Sequence, residues 1–87
     1  MVEVIGCKRV QTAHSEYLLT LVRVEGKLKC ICRKTADLSN GKQSALPVGW
    51  KCEITKLALE KGKRMHLVGD IFSSTVTRIE DVPLTKN

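Results

Sequence analysis

Apolar and polar residues alternate with a period of two in several stretches of this chain, and most cleanly in the second arm of a hairpin read from Tyr17 to Lys34 (YLLTLVRVEGKLKCICRK). A period of two sends successive side chains to opposite faces, so the predicted elements are strands. Leu18 to Val24 is dense in branched and aliphatic residues, which suit a pleated, half-buried surface. Glu25-Gly26 reverses the chain. In the second arm Leu28, Cys30 and Cys32 fall on one face and Lys27, Lys29, Ile31 and Arg33 on the other. The first set is assigned to the core and the second to a basic outer face.

The register of this hairpin has two solutions. A two-residue turn at Glu25-Gly26 sets Leu21 opposite Cys30 and Leu19 opposite Cys32. A three-residue loop, Val24-Glu25-Gly26, with glycine left-handed in a bulge, sets Thr20 opposite Cys30. One residue of slip exchanges the faces of the whole first arm. Glu-Gly lacks the Asn or Asp that a tight two-residue turn prefers, which favours the bulged loop.

Elsewhere the pattern predicts shorter elements. Val2 to Val10 reads as a first strand whose apolar phase changes at Gly6, the mark of a bend or bulge. Thr35 to Gly49 is the longest stretch without periodicity, with turn formers at Asp37, Ser39, Asn40 and Gly41; a short helical turn fits Ala36-Asp37-Leu38. In Trp50 to Lys61 a strand would place Trp50, Cys52 and Ile54 on one face, with a bulge near Lys56. A helix would align only Ile54, Leu57 and Ala58. The strand is the better fit. Lys61-Gly62-Lys63 turns the chain, and Met65 and Leu67 then alternate with Arg64 and His66. A last strand runs from Ile71 to Val82, with Val76 facing away from Thr77 and Ile79, and Pro83 ends it. The expected fold is all-β: a small, strongly bent barrel of five or six strands, OB or SH3-like, with a short helix only if residues 50–61 were helical. Residues 1–83 form the single domain, and 84–87 are a frayed tail.

Composition changes this picture in one respect. The 87 residues carry 15 Lys/Arg against 9 Asp/Glu, a formal charge of +6. Residues 1–34 hold seven cations against three acids, residues 35–69 six against three, and residues 70–87 two against three. The basic surface therefore belongs to the body of the barrel, which suits a polyanion partner. The opening MVEVIGCKRV has no basic lead ahead of a long apolar run, and no stretch approaches the ~18 apolar residues of a membrane span. A cytoplasmic protein with reduced cysteines is expected.

Candidate chemistry is sparse. Of the four cysteines, Cys7, Cys30, Cys32 and Cys52, only Cys30 and Cys32 are close in sequence, as C-x-C within an apolar strand. Zinc sites use C-x-x-C knuckles on turns, so the thiols are assigned to core packing and no metal or cofactor is expected. His14 and His66 read as surface residues. The acids are scattered singly, no glycine-rich phosphate loop precedes a helix, and no enzyme is predicted. Lys27, Lys29, Arg33 and Lys34 on one hairpin, and Lys61, Lys63 and Arg64 around a second turn, could flank a groove that follows a phosphate backbone. Tyr17 and Trp50 are the candidate stacking platforms, and Phe72 is assigned to the core.

In length and hairpin layout the chain is loosely similar to the small single-stranded DNA-binding proteins of filamentous phages, without a shared motif. The expectation is a non-enzymatic module binding single-stranded DNA or RNA. The rival is a phage- or plasmid-type accessory protein that binds a host protein through a sheet edge or the 35–49 loop. A homodimer built on an exposed edge is compatible with either.

Overall fold

A computed structural model describes residues 2–38, 46–55 and 57–83. Six strands follow in order: β1 Val2–Thr12, β2 Ser15–Val24, β3 Lys27–Asp37, β4 Lys51–Ile54, β5 Arg64–Val68 and β6 Ile71–Asp81. They form one antiparallel sheet in the order β4-β3-β2-β1-β6-β5. The sheet curls until β4 and β5 touch, giving a nearly closed barrel. The all-β barrel read from the alternation is the fold observed, and the described residues contain no helix. Residues 84–87, and the middle of the 35–49 connection, lie outside the described residues, as does Lys56.

The core follows from strand parity. Val10, Tyr17, Leu19, Cys30, Cys32, Ile54, Met65, Leu67 and Val76 pack inside, with Leu21, Trp50, Cys52, Leu59 and Ile79 partly buried against them. Burying one such aliphatic side chain contributes about 1.5–3 kcal/mol. Trp50, Cys52 and Ile54 share the inner face as the strand pattern requires, and Met65 and Leu67 alternate with exposed Arg64 and His66.

Three local expectations are corrected. The β2–β3 turn has two residues, because Val24 pairs with Lys27, Leu21 with Cys30 and Leu19 with Cys32. Glu25 and Gly26 both adopt positive φ, 50° and 80°, which matches a type I′ turn and its twist. Strand β3 runs on to Asp37 in place of a helical turn, with its register shift next to Thr35. Val76 and Ile79 both face inward, because β6 shifts register against β1 between them. The bend at Gly6 is found as expected: register shifts between Val4 and Gly6.

Beyond the barrel the ends of β1, β2 and β3 continue as a three-stranded arm. Strand β4 pairs with β3 only from Cys30 to Arg33, and β6 pairs with β1 only from Lys8 to Thr12. At the tip none of the described residues covers the inner face, so Leu28, assigned to the core from its parity, is 64% exposed. No helix of the described residues is long and apolar enough to cross a membrane.

Candidate nucleic-acid interface

The outer face of β3 carries Lys27, Lys29, Ile31 and Arg33, as the alternation requires. Strand β4 adds Lys51 opposite Arg33 and Glu53 opposite Ile31. Leu18, Thr20, Ile31, Arg33 and Lys51 line a shallow depression of about 340 Å³ that runs across β2, β3 and β4. Strand β5 lies on the far side of β4 and carries Arg64 and His66 outward. The two basic stretches of the sequence are thus separated on the barrel by a single strand.

Ion pairing sorts these cations. Lys29 faces Glu53 at 3.8 Å and Lys63 faces Glu60 at 3.2 Å; elsewhere Lys8, Arg9, Arg23 and Arg78 also have acidic partners. Among the described residues Lys27, Arg33, Lys51, Lys61 and Arg64 have none. Arg33 and Lys51 are both exposed and stand directly across the β3–β4 ladder. Like charges at that position destabilise a sheet.

Two sequence-predicted residues leave the surface, and a third is partly buried. Lys34 is 1% exposed. Its ammonium donates to the Asp37 carboxylate and, at 2.6 Å, to the Leu46 carbonyl. It lies opposite Tyr17, on the inner face. Tyr17 is 2% exposed, and burial raises its phenol pKa despite a hydrogen bond with Ser15. The Tyr17 ring is therefore closed off from a base, while Trp50 is half-buried, packed against the core.

The exposed ring is Phe72, 48% accessible, where a core residue was expected. It pairs across the β5–β6 ladder with His66, the ring centroids 4.8 Å apart. The Arg64 guanidinium carbon lies 5.5 Å from the Phe72 centroid, and Arg64 Nε donates to the Ser73 carbonyl at 3.0 Å. His66 donates from Nε2 to the Gly69 carbonyl at 2.6 Å. The sequence held no signal for this, since Phe72 has the parity of buried Val76; the β5–β6 ladder shifts register on both sides of the His66–Phe72 pair, and Ser73 is the buried neighbour, accepting the Met65 amide at 3.0 Å.

The thiols take no part in this surface, with one exception. Cys30 and Cys32 are buried and Cys52, paired with Cys32, is half-buried, all on the inner face. Burial, and then the neighbouring Cys52 and Cys30, push the Cys32 pKa up to about 12; burial raises Cys30 and Cys52 as well. Cys7 is on the outer face opposite Thr20 and is half-buried there. Among the described residues no group of three or more His, Cys, Asp or Glu is placed to hold a metal ion. No family model matches the chain, and no curated protein or solved structure matches it either.

Proposed function

We propose that this chain is a non-enzymatic nucleic-acid-binding module, working in the cytoplasm, that holds the backbone of a single strand on the outer face of β3, β4 and β5. The observation that carries the reading is the Arg33–Lys51 pair: two exposed cations face each other with no acid between them, in a depression lined also by Leu18, Thr20 and Ile31. A solvated sheet face places lysines at edges to discourage aggregation, but it gains nothing from like charges directly opposed. A bridging phosphate turns that repulsion into attraction. Lys27, Lys61 and Arg64 extend the charge along β3 and across to β5. Lys29 and Lys63 contribute less, since each already has a carboxylate.

The test is a titration of single-stranded DNA, duplex DNA and RNA over a range of salt. Affinity should fall steeply with salt, each neutralised phosphate adding about −0.7 to the log–log slope for single strands and about −0.9 for duplex. Weak binding with a flat salt dependence would end this reading.

A second reading has its own observation. Among the described residues no strand pairs with the outer edge of the Val2–Gly6 half of β1, and Val2, Val4 and Ile5 are 63%, 49% and 40% exposed. Such an edge suits a protein partner that adds a strand, as an accessory protein of phage or plasmid type would use, or a second copy of the chain. Capture of a strand-forming peptide, abolished by proline at Val4, would favour this alternative.

A further inference from the structure

We infer that Phe72, framed by Arg64 and His66, is a stacking site for one unpaired nucleobase; the inference rests on the single-strand reading above. The ring is nearly half exposed on the outer face of the β5–β6 hairpin. It is not loose. His66 is fixed through its bond to Gly69, Arg64 through its bond to Ser73, and both side chains meet the ring. An exposed ring with a planar guanidinium over it offers the π and cation surfaces that base stacking uses, and these accept any base because every base has a π-face. A duplex keeps its bases stacked on one another, so this site selects single strands.

The neighbouring charges favour a base over a second protein chain. Val68 and Ile71 are also exposed beside Phe72, 41% and 39%, so the hairpin could be taken for a dimer contact. Arg64, whose guanidinium lies over the ring, has no acidic partner among the described residues and leaves a positive charge at the site. The negative backbone of a nucleic acid meets the same charge favourably. Strands β4 and β5 lie between Phe72 and Arg33, and β5 carries Arg64 on that path, so a strand of nucleic acid crossing β4 and β5 can reach both.

The test uses fluorescence anisotropy with a labelled oligothymidylate and with the same backbone carrying abasic sites. Stacking of one base is worth about 1–3 kcal/mol, or roughly 5- to 140-fold in affinity. Phe72→Leu, which keeps an apolar side chain but loses the π-face, should weaken oligothymidylate binding by that factor at unchanged salt slope. It should bind the abasic strand like the parent, and Phe72→Trp should restore the affinity for bases. Circular dichroism should show both variants folded, since the ring is half exposed; if Phe72→Leu does not fold, the parent's preference for bases over the abasic strand and the Phe72→Trp affinity decide the matter. Equal binding of both strands by the parent, or an unaffected Phe72→Leu variant, overturns the stacking site. So does a loss of dimer in sedimentation with affinity intact. If the parent binds both strands with a salt-dependent slope but Phe72→Leu is silent, the stacking site alone has failed. If the parent binds neither strand, the nucleic-acid reading itself has failed.

Discussion

Lys34 separates the two roles that a lysine on a basic hairpin can have. Its side chain is fully buried, while that of its partner Asp37 is 39% exposed. The asymmetry fixes the order of two substitutions. Lys34→Met keeps the buried stem and removes the ammonium. Two charge-assisted hydrogen bonds are lost, each worth about 1.5–3 kcal/mol, but Asp37 can hydrate and a buried ammonium no longer has to be desolvated. The net loss should be about 2 kcal/mol, equivalent to roughly 8–16 °C in Tm for a domain of this size. Asp37→Ala instead strands the ammonium inside, the situation that costs about 3–5 kcal/mol. Urea unfolding monitored by Trp50 fluorescence measures both values. The salt slope of nucleic-acid binding should not change for Lys34→Met, because the group never reaches solvent. A smaller loss for Asp37→Ala than for Lys34→Met, or a reduced slope in the latter, would refute the buried-pair interpretation.

Other outcomes follow from the same packing. Cys30→Ser should destabilise by about 1–3 kcal/mol in the same urea assay, since a hydroxyl enters an apolar site. A thiol whose folded pKa is raised keeps its proton where the unfolded chain loses it. Stability is therefore fully present below pH ~8.5 and declines by about 1.4 kcal/mol per pH unit for Cys32 as pH rises towards its folded pKa of about 12; denaturant midpoints measured upward from pH 8.5 check the sign. Glu25→Asn should stabilise the β2–β3 turn by a few tenths to about 1 kcal/mol, because Glu25 holds φ 50° and Asn tolerates that region better. Dialysis against a strong chelator should leave Tm unchanged.

The barrel was legible because strand parity and hydrophobicity agree over most of the chain. Where they disagreed, parity decided. Lys34 has the parity of Cys30 and Cys32, and Tyr17 that of Leu19, so both point inward despite one being charged and the other a plausible platform. Phe72 is the exception: it has the parity of buried Val76, but register shifts in the β5–β6 ladder turn it outward and leave Ser73 inside, bonded to the Met65 amide. Leu28 has inward parity, but β4 and β6 stop pairing before the tip of the arm, where only β1 and β2 continue beside it. The turn register was open because Glu25 is a poor residue for positive φ; the pairing of Leu19 and Leu21 with the two thiols outweighs that local strain. The opposition of Arg33 and Lys51 could not be read at all, since it depends on how β4 docks after a long connection.

That opposition is also where the function is tested most directly. Arg33→Ala together with Lys51→Ala should be compared with Arg78→Ala, whose side chain already meets Glu80 at 3.2 Å. Both substituted side chains face outward, so the barrel should survive. In a salt titration of single-stranded DNA the double variant should lose about 1.4 from the log–log slope, two phosphates at about 0.7 each, while Arg78→Ala leaves it unchanged. An identical slope for the parent and both variants would contradict a phosphate path through Arg33 and Lys51.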